Sequence, residues 1–233
     1  MKRTELARMI DHTVLGPSAT REAVVKLCRE AIELNAASAC VDGCHARLVA
    51  EKLQGTDVKV CIVIGFPHGM AATAAKACEA RTAIEDGADE LDMVINVAAL
   101  KEGDTEAVIE DIRTICKVAK AAPRPVLVKA ILETARLTDE EKVAGARLAK
   151  EAGADFVKTS TGFGPSGATV EDVALLRSTV GPEMGVKAAG GIRDYETAIA
   201  MIDAGATRIG ASRSIDILSG AESDEEPPAS GTS

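Results

Sequence analysis

Short runs dense in Val, Ile and Leu recur along the chain, and each is followed by a longer stretch whose apolar positions fall three or four residues apart. Short apolar runs mark buried strands, and the longer period marks helices lying over them. The pattern predicts strands over 9–13, 38–42, 58–64, 90–96, 126–132, 155–160, 185–189 and 207–210. Helices fit between them, among others over 21–33, 73–86, 106–121, 139–152, 170–180 and 195–204, with a short N-terminal helix ahead of the first strand. Three helices run into a repeated phrase: Asp86-Gly87-Ala88-Asp89, Glu151-Ala152-Gly153-Ala154-Asp155 and Asp203-Ala204-Gly205-Ala206. A Gly just past a helix end takes the left-handed cap and turns the chain into the next strand. Repeated βα units build parallel sheets, and eight of them in 233 residues predict a closed (β/α)8 TIM barrel. A doubly wound open sheet is the alternative, but no G-x-G-x-x-G opens the first helix as a dinucleotide-binding sheet of that kind would require.

Residues 1–220 read as one domain, and 221–233 as a disordered acidic tail with four acids and no bases. Apolar residues at 46% and charged residues at 27% are globular values. The formal charge of -9, the lack of Trp, and the presence of only Tyr195, Phe66, Phe156 and Phe163 remove both phosphate attraction and base-stacking platforms. Nucleic acid and anionic membranes are therefore not expected as partners. No apolar run reaches the length of a membrane span and the first residues form no apolar signal region, so a cytoplasmic location is expected. Six cysteines spread through apolar segments read mostly as small core residues rather than a disulfide framework.

Alternation along the fourth strand places Leu91, Met93 and Ile95 on one face and Glu90, Asp92 and Asn96, with Val94, on the other. In a barrel the second set faces inward, where unpaired carboxylates are costly, so this strand points to a site or an internal ion pair. Lys129, Lys158 and Lys187 each interrupt an apolar strand in or near its C-terminal half. Those ends form the active-site face of a barrel. Clustered ammoniums lower one another's pKa and supply the free amine that carbonyl attack needs; alternatively, the lysines neutralise Asp11, Asp92 and Glu133. Gly190-Gly191-Ile192-Arg193 and Gly210-Ala211-Ser212-Arg213-Ser214 follow the seventh and eighth strands, where barrels of this type hold phosphate, and Thr159-Ser160-Thr161-Gly162-Phe163-Gly164 can add donors. His12, His45 and His68 form no H-x-x-x-H pair, and Cys40-x-x-x-Cys44 lacks a second pair, so no metal or other cofactor is expected. His12 and His68 lie near strand ends, where they read as satisfied polar residues, with lining of the pocket as the alternative. No G-x-S-x-G elbow occurs. Schiff-base chemistry and proton-transfer isomerisation both remain open.

Ile10-Asp11-His12-Thr13, Ala37-Ser38-Ala39-Cys40-Val41, Val63-Ile64-Gly65-Phe66-Pro67-His68-Gly69, Glu90-Leu91-Asp92-Met93-Val94-Ile95-Asn96, Asp155-Phe156-Val157-Lys158-Thr159-Ser160-Thr161-Gly162 and Gly185-Val186-Lys187-Ala188-Ala189-Gly190-Gly191-Ile192-Arg193 strongly resemble the deoxyribose-phosphate aldolase family. The match runs from about residue 9 to 212. The resemblance implies a class I aldolase of deoxyribose phosphate catabolism. Its reaction interconverts 2-deoxy-D-ribose 5-phosphate with acetaldehyde and D-glyceraldehyde 3-phosphate. It makes Lys158 the nucleophile, a choice over Lys187 that the residues alone do not make. Lys187 becomes the neighbouring charge that favours a neutral amine, and Asp92 the acid that moves protons with Lys187 and a water. Asp11 and Thr161 match further substrate-pocket positions, and Gly162, Gly190, Gly191, Gly210 and Ser212 match the phosphate contacts. Partners so implied are a sugar phosphate, aldehydes and further copies of the chain, as a dimer or tetramer. Two features depart from the family: Arg213 and Ser214 replace the usual small residues after Ser212, and the tail lacks the C-terminal Tyr of some longer members. A phosphate-binding isomerase and a non-catalytic sugar-phosphate binder are the alternatives on the same scaffold.

Overall fold

The computed structural model describes residues 1–224. Eight strands close a parallel barrel in chain order: β1 (Ile10–Thr13), β2 (Ser38–Val41), β3 (Lys59–Ile64), β4 (Glu90–Val94), β5 (Leu127–Ile131), β6 (Phe156–Lys158), β7 (Gly185–Ala189) and β8 (Arg208–Ala211), with β8 paired to β1. Around it run α1 (Arg3–Ala7), α2 (Arg21–Leu34), α3 (Ala46–Leu53), α4 (Thr73–Glu85), α5 (Val97–Lys101), α6 (Thr105–Lys120), α7 (Asp139–Ala152), α8 (Val170–Val180), α9 (Tyr195–Asp203) and α10 (Ser214–Ser219). This is the (β/α)8 barrel that the repeated units predict. None of the described helices is long and apolar enough to cross a membrane.

Several strands stop short of their apolar runs because the following residues have other work. The fourth strand ends at Val94, and the Asn96 side chain instead accepts the Ala99 N–H as the N-cap of α5. Gly87, Gly153 and Gly205 take left-handed backbone at φ +110, +90 and +111, as the repeated phrase requires. Thr138 and Glu141 form a capping box that starts α7 at Asp139.

Two apolar regions follow from strand alternation. The main core is the layer between barrel and helices, where Ile62, Leu91, Val128, Val157, Val186 and Ile209 face outward. A small second cluster, Cys40, Cys61 and Val63 with Leu15 and Phe66 against it, lies apart from that layer. Cys28 and Cys116 are also buried, whereas Cys44 and Cys78 are exposed and depart from the core reading. The Arg3 N–H donates to Glu222 O, and both the Thr4 N–H and hydroxyl donate to Asp224, so residues 221–224 return to the start of the chain. The rest of the expected tail, 225–233, lies outside the described residues.

Candidate active site

The inward residues of β1, β4, β5, β6, β7 and β8 build one ion cluster. Lys129 Nζ lies 2.6 Å from Glu90 Oε2, 2.7 Å from Asp92 Oδ1 and 3.6 Å from Asp11 Oδ2. Lys187 Nζ lies 2.5 Å from Asp11 Oδ2 and 2.6 Å from Asp92 Oδ2, and Lys158 Nζ reaches the same Asp92 oxygen at 2.8 Å. On the far side, Arg208 holds Asp11 Oδ1 at 2.6 Å and Glu90 Oε2 at 2.9 Å, with its guanidinium 5.5 Å from the Phe156 ring centre. The Ser38 hydroxyl also donates to Asp11. Each carboxylate is therefore paired, which is what makes its burial tolerable.

The electrostatics correct one expectation. Burial pushes the Lys187 ammonium toward the neutral amine, but Asp11 and Asp92 outweigh it and raise its pKa. Lys129 is raised well above its ordinary value in the same way, burial being outweighed by Asp92 and further anions. Mutual depression of clustered lysines thus fails for these two, because the carboxylates interleave with them. Burial pushes Asp92 up, yet Lys129, Lys158 and Lys187 together hold it well below the usual carboxylate range. Asp11 is lowered likewise, against its burial, by Lys187, Lys129 and Arg208. The neutralising partners are Asp11, Glu90 and Asp92; Glu133 is not among them and bonds Thr161 instead.

Above the cluster, at the C-terminal ends of the strands, lies a cavity of about 290 Å³. Of the three lysines only Lys158 lines it; Lys129 and Lys187 are fully buried beneath. Thr161, Gly162, Gly190, Gly191, Gly210 and Ser212 all line it as well, whereas Asp11 is wholly buried and supports Lys187 from below. Gly190 takes φ +87 with its backbone against that of Gly167, a conformation and an approach that side chains disfavour. Arg193 on this rim was not singled out by sequence reasoning, though it stands in the quoted Gly190-Gly191-Ile192-Arg193 turn. Arg213 turns away: its Nε pairs with Asp216 at 2.7 Å.

His12 is buried between Ser214 and Glu30 and does not line the cavity. His68 is exposed in a neighbouring cavity of about 640 Å³ that shares Thr161 and Phe163 with the first. A larger groove of about 830 Å³ runs from the end of β3 along α4 and contains none of the ion cluster. Cys40, Cys61 and Asp92 present atoms within 4.8 Å of one another, a spacing a metal could use, but both Asp92 oxygens are already held by ammoniums. Arg208, in the ion cluster, is a further residue that sequence reasoning missed. Alternation applied to the eighth strand would have found it, since Arg208 and Gly210 share the inward face.

Known proteins share this chain's sequence and fold. Residues 6–222 match the DeoC/LacD family aldolase description. A deoxyribose-phosphate aldolase of Thermococcus gammatolerans is 57% identical, over 95% of this chain and 98% of its own. One of Clostridium perfringens is 55% identical, over 96% and 99%. A deoxyribose phosphate aldolase of Aeropyrum pernix, described as a unique tetramer, superposes with a TM-score of 0.87 at 38% identity, covering 93% of this chain and 91% of that one. With a lysine-lined cavity at the mouth of the same barrel and a match along nearly its whole length, the chain belongs to the DeoC/LacD family of aldolases.

Proposed function

We propose that this enzyme reversibly cleaves 2-deoxy-D-ribose 5-phosphate to acetaldehyde and D-glyceraldehyde 3-phosphate through a Schiff base on Lys158. The observation that carries the reading is one Asp92 oxygen shared by Lys158 and Lys187, directly beneath a cavity rimmed by glycine loops. The named relatives support the substrate. The Gly162, Gly190, Gly191, Gly210 and Ser212 rim of the cavity is the site for the phosphate dianion, where glycines leave the backbone open to close approach and Ser212 carries a hydroxyl. In this reading the aldehyde end of the sugar meets Lys158, which lines the same cavity.

Lys158, the lysine that lines the cavity, attacks C1 and forms a carbinolamine. Asp92, an ionised base between the two lysines, takes the proton lost by the attacking nitrogen, and Lys187 helps return it as water leaves. The resulting iminium is an electron sink. Removal of the C3 hydroxyl proton, through a water to Asp92, breaks the C2–C3 bond, and its electron pair enters the iminium to give an enamine. Glyceraldehyde 3-phosphate departs, C2 is protonated, and hydrolysis frees acetaldehyde and Lys158. Assembly as a homo-oligomer is part of the proposal, supported by the tetrameric Aeropyrum pernix relative.

Borohydride trapping with acetaldehyde in the presence of a chelator, read by intact mass and peptide mapping, tests this. The expected result is one ethyl group on Lys158, lost in Lys158→Ala. An adduct on Lys187 would reassign the roles, and no adduct on folded protein would overturn the reading in favour of an isomerase or a binder.

A further inference from the structure

The hydrogen bonds of the Thr161 hydroxyl have their directions set from two sides. Its proton goes to Glu133 Oε2 at 2.5 Å, and the Phe163 N–H donates to it at 3.0 Å. A hydroxyl has one proton and two lone pairs, so a single lone pair remains for whatever occupies the cavity. Glu133 is built into place. It lies just after β5, is 4% exposed, and adopts left-handed backbone at φ +58, which costs a non-glycine residue on the order of 1 kcal/mol. A Cβ added at Gly164 would come within 2.9 Å of Glu133 Oε1, so the Gly162-Phe163-Gly164 loop is shaped around this carboxylate. Among the described residues no ion pair reaches Glu133; its polar contacts are the Thr161 hydroxyl and, at 3.4 Å, the Thr161 N–H.

Thr161 lies on the cavity wall with Lys158 and the phosphate-rim glycines Gly162 and Gly190. We propose that Glu133 is a positioning residue that makes Thr161 an obligate acceptor and so selects substrates bearing a hydroxyl, a donor, on the carbon between the reacting carbon and the phosphate. The proposal rests on the aldolase reading. A carbonyl oxygen or a hydrogen at that carbon offers Thr161 nothing, and leaves a buried lone pair unmatched.

The test compares addition of acetaldehyde to D-glyceraldehyde 3-phosphate and to 3-oxopropyl phosphate, which lacks the hydroxyl, as a ratio of kcat/KM values. Wild type favours the hydroxylated acceptor. Thr161→Val and Glu133→Ala each reduce that ratio roughly three- to tenfold, the range of one hydrogen bond. The double variant loses no more than Thr161→Val alone, because Glu133 acts through that hydroxyl. Glu133→Gln, with one acceptor oxygen for two donors, falls between wild type and Glu133→Ala. An unchanged ratio in folded Glu133→Ala, or losses that multiply in the double variant, overturns the proposal. If Glu133→Ala does not fold, an unchanged ratio in Glu133→Gln or Thr161→Val overturns it equally. Acetaldehyde trapping by wild type needs no acceptor: its failure sinks the aldolase reading, whereas a failed ratio with trapping intact sinks only the role of Glu133.

Discussion

Replacing Asp92 with Asn removes one negative charge from among three lysines while keeping nearly the same volume. Its oxygens lie 2.6 to 2.8 Å from Lys129, Lys158 and Lys187. At an effective dielectric of about 20, each contact corresponds to roughly 6 kcal/mol of Coulomb energy, most of it offset by the desolvation of both ions. Removing one partner leaves the others buried and uncompensated, for which about 3–5 kcal/mol of stability is the expected loss. The pH dependence sets the sign. Asp92 is depressed in the folded state, so its contribution is complete above its ordinary value of 3.8 and is lost as pH falls through the folded value. Lys187 is raised, so its contribution is complete below 10.5 and is lost as pH rises through the folded value. The gap between wild type and Asp92→Asn therefore stays constant from about pH 5 to 9. Urea unfolding at several pH values in that range, with equal m-values, measures it. A gap below about 1 kcal/mol, or one that shrinks between pH 7 and 5, would refute the interleaved ion cluster as a source of stability. Activity should fall by about two to four orders of magnitude if Asp92 is the proton carrier of the proposed mechanism.

Gly190→Ala, at φ +87 and with its Cβ 3.0 Å from Gly167, should strain the rim by about 1–2 kcal/mol. It should raise KM for the phosphorylated sugar about tenfold while acetaldehyde trapping on Lys158 persists. Arg213→Ala should change KM less than about twofold in steady-state assays, since its guanidinium is engaged with exposed Asp216. Arg208→Met should lower the unfolding free energy by about 3 kcal/mol or more, because Asp11 and Glu90 lose their shared cation; differential scanning calorimetry reads this as a lower Tm.

Local pattern carried most of the architecture. The helices over 139–152 and 170–180 and the strand over 185–189 have their predicted bounds, because caps and glycines at their ends act within a few residues. Asp92, Lys158 and Lys187 stood out as charges on apolar strands, and parity alone sends them inward. What parity does not give is the partner. Glu133 was a plausible neutraliser of the lysines by position along β5, but it lies beyond the last strand residue, where the left-handed turn takes it to Thr161. Arg213 likewise follows the Gly210–Ser212 turn expected to hold phosphate, yet the start of α10 brings it to Asp216.

Periodicity, composition and glycine placement thus determined by themselves that the chain is a barrel with charges in its interior and an anion-suited rim, because each of those signals is written over neighbouring residues. Only the closed tertiary structure decided which lysine meets the cavity and which anions hold the others. Lys129, Lys158 and Lys187 occupy three strands whose relative depth is set by barrel stagger, and a single shared Asp92 oxygen couples two of them. Charge state is a property of that three-dimensional neighbourhood. Lys129 and Lys187, which look mutually repulsive along the sequence, are held as ammoniums by acids contributed from β1 and β4.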